Sequence, residues 1–212
     1  MSAWKSSSFI QDSRKLPVDP QDLDFFKTVP SLQQWLGNPH YSVVGTSARI
    51  PRDDGENDLF AITLKTTSTI PKWLLVVRDE AVDPRPDRRD EPPNGSADKP
   101  DIILLVNLEQ GTNGFKAVAH GGLLSALLDE TLSYCVEFAR QRRYEAREHL
   151  FTANLNIDFR QPVVTPGVAV IKSWVTKVEG RKYWLSGQIE GVEGHVCVQV
   201  KGLWISARPG KI

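Results

Sequence analysis

The stretch AHGGLLSALLDETLSYC, residues 119–135, decides how this chain is read. Apolar residues crowd almost every position after Gly122, which predicts a long helix from about His120 to Arg143, buried on most of its surface. The Gly121-Gly122 pair at its start lets the backbone turn sharply. It also leaves the first N–H groups of the helix unpaired, with the positive end of the helix dipole behind them. Such donors suit a developing oxyanion. Asp129 lies two turns on, among Leu127, Leu128 and Leu132. A bare charge there is costly, so something compensates it: a backbone or Arg partner, or a water that it holds and activates.

Outward from the helix, Asp101 to Leu108 reads as a short apolar strand, and Gly111 and Gly114 mark the loop between the two. After the helix, Phe151–Phe159 alternates cleanly. Phe151, Ala153, Leu155, Ile157 and Phe159 are expected on one face, and Thr152, Asn154, Asn156 and Asp158 on the other. Strands over 168–178, 181–190 and 195–206 complete a four-strand antiparallel meander, turning at Gly180 and between Gly191 and Gly194. The fold class is therefore α+β, a curved antiparallel sheet wrapped around a long central helix.

The first half of the chain is less regular. Residues 1–20 read as a flexible leader and 21–57 as a helical extension, with two short helices interrupted by Pro30. His40–Ile50 fits an extended segment, and Leu59–Thr66 and Lys72–Arg78 read as strands. Residues 79–100 carry five prolines, charges of both signs and no aromatic side chain, and are expected to form a mobile insertion in a main domain over 58–208.

With 26 basic and 26 acidic residues and no basic block, nucleic acid is not an expected partner. Cys135 and Cys197 sit among apolar neighbours at no zinc spacing and read as reduced core thiols. Neither a metal nor an organic cofactor is expected. No apolar run reaches the ~20 residues that a bilayer demands. The expected location is cytoplasmic, the Ser-rich start with Lys5, Arg14 and Lys15 offering a mitochondrial transit peptide as the alternative.

The run AHGGLLSALLDETLSYC resembles the His-Gly-Gly helix of hotdog-fold thioesterases. TANLNIDFRQP (152–162) and KVEGRKYW (177–184) are similar to segments of the PaaI- and THEM-type acyl-CoA thioesterases of that superfamily. The resemblance covers about 101–206. It implies hydrolysis of acyl-CoA to free acid and CoA by a homodimer, or a dimer of dimers, with composite sites at the interface. Asp129 would be base or nucleophile, the Gly121 N–H would bind the oxyanion, His120 would orient the thioester, and Thr152 would assist the water. Gly122 and the basic residues Arg160, Arg181 and Lys182 would contact substrate, the last three through the CoA phosphates. The chain departs from the pattern at Asn113, one place out of register with an Asn of some relatives, and at Lys116-Ala117, where relatives often carry glycine or proline.

Distance supports a shared site. Gly121 and Asp129 are eight residues apart, about 12 Å along a helix axis. Groups that act on one carbonyl must approach it to about 3 Å. One chain cannot bring both to the same thioester, whereas two antiparallel helices related by a two-fold axis can. The absence of a G-x-S-x-G elbow speaks against an α/β-hydrolase. Three other functions fit the same residues less fully: release of an acyl or polyketide chain from a carrier protein, a hotdog dehydratase, and a non-catalytic acyl-binding regulatory dimer.

Overall fold

The computed structural model describes residues 13, 15–82, 91–142 and 149–207. Strands β1 (Tyr41–Val44), β2 (Lys72–Arg78), β3 (Ile102–Leu108), β6 (Leu150–Phe159), β7 (Gly167–Glu179), β8 (Lys182–Gly191) and β9 (Val196–Ser206) form one antiparallel sheet. Its order is β1-β2-β3-β7-β8-β9-β6. A small hairpin, β4 (Asn113–Phe115) with β5 (Val118–Ala119), leads into the long helix α4 (Gly121–Arg142). Among the elements with described bounds, the short helices α1 (Pro20–Lys27), α2 (Gln33–Leu36) and α3 (Asp79–Val82) precede it.

The sheet separates two apolar layers because its strands alternate. Trp73, Leu75 and Val77 of β2, with Leu104 and Val106 of β3, face α4 and pack on Leu124, Leu127, Leu128 and Leu132. Leu74 and Val76, with Ile103, Leu105 and Val170, face the other way, against Phe26, Leu32 and Trp35 of the N-terminal helices. β2 and β3 are therefore apolar on both faces, as strands buried between two layers must be. Helix α4 touches β3, β7, β8, β9 and β6, so the sheet wraps it on one side.

Several expectations change. Only β7, β8 and β9 form a meander: β6 leaves α4 to pair with β9, and the chain then crosses back to place β7 beside β3. Leu59–Thr63 is a π-helical turn and not a strand. Asn57, at φ 74°, tips the chain into it, and burial selects the neighbours Phe60 and Ala61 while Leu59 and Ile62 stay exposed. His40–Ile50 divides into β1 and a 3-10 turn at Ser47–Arg49, so part of the expected helical extension is an edge strand of the sheet. Arg140, in the charged last turns of α4, is buried and pairs with Glu137 at 2.8 Å.

The ends of the 79–100 stretch are also fixed in place, which corrects the expectation of a wholly mobile insertion. Ala81 and Val82 join the core. Arg78, only 2% exposed, is hydrogen-bonded to Asn94 and Glu80 and ion-paired with the buried Asp101, and Lys99 binds Glu80 at 2.9 Å. At Gly95 an added Cβ would come within 2.6 Å of Trp174, so this prolyl segment lies flush against β7. Composition predicted solvation because it could not foresee one buried arginine collecting the segment's acceptors. Residues 83–90 lie outside the described residues, as does most of the leader over 1–20.

Candidate active site

The start of α4 is held from both sides. The Ala119 N–H donates to the Val163 carbonyl at 2.9 Å, and the His120 N–H to the Thr112 carbonyl at 2.8 Å. Thr165 braces the hairpin by donating its hydroxyl to Asn113. Ala117 turns the hairpin at φ 58°, in the left-handed region that favours glycine.

His120 caps the helix, its Nδ1 accepting the Gly122 N–H at 2.9 Å. A neutral imidazole that accepts at Nδ1 carries its proton on Nε2, so this bond fixes the tautomer. Its ring lies between two glycines. A Cβ at Gly114 would stand 3.2 Å from Cδ2, and one at Gly122 3.1 Å from Nδ1 and Cε1. The cap consumes the Gly122 N–H; among the described residues no acceptor meets that of Gly121.

That free donor opens on a cleft of about 430 Å³, lined by His120, Gly121, Leu124, Phe115, Phe159 and Arg160 among others. Phe115 at the hairpin tip is 81% exposed and Phe159 at the end of β6 is 55% exposed. The Phe159 ring lies 3.5 Å from where a Gly121 Cβ would be, so it walls the helix start. The cleft is mostly apolar, with Arg160 its charged liner.

Asp129 is elsewhere. Its Oδ1 accepts the Thr152 hydroxyl at 2.7 Å, at the other end of β6. A β-bulge makes this contact. The register of β6 on β9 shifts between Thr152 and Asn154, leaving Ala153 as the extra residue. Leu155, Ile157 and Phe159 pair with Gly202, Val200 and Val198, while Thr152 pairs with Trp204, whose Nε1 donates to Ser133 on α4 at 3.2 Å. Opposed residues share a face, so Thr152 points toward the helix along with Leu155 and Ile157. Phe151 and Ala153 are turned out, contrary to the simple alternation.

Glu130 was missed by sequence reasoning. Burial, and then the Asp129 charge beside it, push its carboxyl up to about 7. Tyr134, one turn on, is also pushed up, to about 12, mainly by burial; its hydroxyl bonds Thr46 at 2.6 Å. The available signal was a second acid next to Asp129 on an apolar helix.

The structure thus forms two groups in one chain. His120, Gly121, Gly122 and Arg160 share the helix-start region, and Asp129 and Thr152 pair further along. Arg181 and Lys182 open β8 at the Thr152 end of the sheet, opposite Arg160, since Lys182 pairs with Ile205 and Ile205 with Phe151. The Arg181 guanidinium is bonded to the Ser206 carbonyl. Among the described residues no group of His, Cys, Asp or Glu could hold a metal ion.

A sheet wrapped on one long helix, with an open N–H at the helix start, is the hotdog arrangement. Residues 117–197, from the turn before β5 into β9, match the family model described as the thioesterase superfamily. The chain is similar to acyl-coenzyme A thioesterase THEM4 of Bos taurus, 35% identical over 99 residues, which are 46% of this chain and 38% of that protein. It is likewise similar to acyl-coenzyme A thioesterase THEM5 of Mus musculus, 40% identical over 77 residues, 36% of this chain and 27% of the relative. Verlamelin biosynthesis protein B of Lecanicillium sp is 27% identical over 131 residues, covering 56% and 49%. The matches span less than half the length of each of these relatives. The solved E. coli PaaI protein superposes with a TM-score of 0.44 at 13% identity over 50% of this chain and 72% of that one, too loosely to place side chains by analogy. No helix among the described residues is long and apolar enough to cross a membrane.

Proposed function

We propose that the protein hydrolyses acyl-CoA thioesters to free acid and CoA, at sites shared between two copies of the chain. The observation that carries this reading is the Asp129–Thr152 hydrogen bond, set apart from a free helix-start N–H at Gly121. Hydrolysis needs both an activated water and an oxyanion donor, and a thiolate leaves readily enough that little else is required.

Supporting the shared site, α4 leaves one stripe incompletely covered: Gly122, Ser125, Ala126, Asp129 and Ser133, at helical spacing. Beside it runs β6, one of the two edge strands of the sheet among the described residues. Two copies related by a two-fold axis, with antiparallel α4 helices, would set Asp129 of one beside Gly121 of the other. Asp129 then takes a proton from a water oriented with Thr152 as that water attacks the carbonyl carbon, or attacks that carbon itself. The Gly121 N–H, with the His120 Nε2–H beside it, receives the carbonyl oxygen. Arg160, Arg181 and Lys182 are the cations available to the CoA phosphates.

The test is thiol release from a panel of acyl-CoA esters of increasing chain length by the purified protein. Turnover that Asp129→Asn abolishes supports the reading; absence of turnover on every ester sinks it. A second reading is release of an acyl or polyketide chain from a carrier protein in a biosynthetic pathway; one relative, verlamelin biosynthesis protein B, is named for biosynthesis. Carrier-bound esters in the same panel separate the two.

A further inference from the structure

A cleft of about 710 Å³ lies away from the α4 start, between the N-terminal segment and the opening residues of β2. It exists because β1 stops at Val44, opposite Leu75, and leaves β2 without a neighbouring strand on that side from Lys72 to Leu74. Asp22 of α1 takes over there: it accepts the Trp73 N–H at 3.1 Å and pairs with Lys72 at 3.1 Å. That acid is thereby satisfied. The cations on the opposite wall, Arg49 and Lys65, bond only to carbonyls and make no ion pair among the described residues.

Arg49 is 8% exposed, and among the described residues no carboxylate lies within ion-pair distance of it. Its two Nη groups donate to the carbonyls of Phe60 and Ile70, each at 2.8 Å, and its guanidinium lies 5.5 Å from the centroid of the Trp73 ring. Burial lowers its pKa to about 10, against a smaller opposing pull from the Asp22 carboxylate. An arginine is seldom so buried without an ion pair. Lys65, which donates to the Arg49 carbonyl at 3.2 Å, adds a second cation on the same wall. Thr66 and Thr67 offer hydroxyls beside it, while Val44, Ile50 and Leu74 line the cleft with hydrocarbon.

We propose that this cleft is a second binding site, which takes an amphiphilic carboxylic acid. The carboxylate lies toward Arg49 and Lys65, and the hydrocarbon lies along Val44 and Ile50. The charge demands an anion, and the apolar wall distinguishes an amphiphile from a plain inorganic ion. The choice of a carboxylic acid rests on the hydrolytic reading, whose free-acid product has this chemistry. Product held here, apart from α4, would let acid accumulation be sensed without blocking the hydrolytic cleft.

Calorimetric titration of the Asp129→Asn protein with sodium decanoate tests the site without turnover. Expected is a binding component weakened about tenfold or more by Lys65→Glu and likewise by Ile50→Glu, both at exposed positions, and unmoved by Phe159→Glu in the α4 cleft. Decanol and inorganic phosphate should each bind far more weakly. Affinity unchanged by both cleft variants, or lost only with Phe159→Glu, would overturn the proposal, as would phosphate competing as well as decanoate. Because thiol release is not the readout, failure here is distinct from failure of the hydrolytic reading.

Discussion

The Thr152 hydroxyl donates to Asp129 Oδ1 at 2.7 Å across the gap between an edge strand and the central helix. The bond leaves the other oxygen of the acid open to a water or a carbonyl carbon, and it holds the carboxylate in one orientation. Thr152→Ala should therefore cost about tenfold or more in turnover, the usual worth of a hydrogen bond to a charged group. Thr152→Ser should retain most activity. Asp129→Asn, nearly isosteric but unable to take a proton or attack, should cost about 10²–10⁴ with fold retained. Thiol-release kinetics with circular dichroism on each variant checks this.

If each site takes Asp129 from one chain and Gly121 from another, two dead variants should repair one another. Gly121→Pro deletes the oxyanion donor and Asp129→Asn the acid. Mixed and reassembled, they should form heterodimers with one intact site and recover activity toward half that of the wild type. No recovery in heterodimers verified by mass spectrometry would mean that the halves do not meet.

Glu130 should make stability fall as pH rises. Its carboxyl is pushed up to about 7 in the folded chain, above the unfolded value of 4.5, so the folded state holds the extra proton between these limits. Its protonated form is the favoured one. The advantage is full below pH 4.5 and gone above about 7, and is on the order of 3 kcal/mol at most. Denaturant midpoints across pH 4–8 should show a steeper decline for wild type than for Glu130→Gln, which stays neutral throughout.

Within the 79–100 stretch, tolerance should divide sharply. Replacing 83–90 with a short Gly/Ser linker should leave thiol release within a few-fold. Arg78→Ala strands the buried Asp101 and frees Asn94, and should destabilise by about 3–5 kcal/mol. Equal tolerance of both changes in thermal melts would show that the arginine does not hold the segment.

Much of this molecule could be read before its coordinates. The helix start at His120-Gly121-Gly122, the burial of α4, and the strands after it follow from local rules: glycine at a sharp turn, apolar crowding, and period-two alternation. The expectation that one site draws on two copies follows from helix rise, once Gly121 and Asp129 are assigned to the same carbonyl. Long-range effects could not be read this way. Whether Thr152 meets Asp129 depends on one bulged residue, Ala153, that reverses the strand's phase, and nothing in its composition announces a bulge. Residues 59–66 carry strand-forming side chains, yet the chain entering at Asn57 turns them into a π-helical turn. The placement of β6 at the sheet edge and the seating of 91–100 on Arg78 arise from contacts between residues distant in sequence, and the rise of the Glu130 pKa comes first from burial in the folded chain, with the adjacent Asp129 adding to it. Local propensity is a matter of a few tenths of a kcal/mol per residue; burying an arginine or a carboxylate is a matter of several, and so the tertiary contacts prevail.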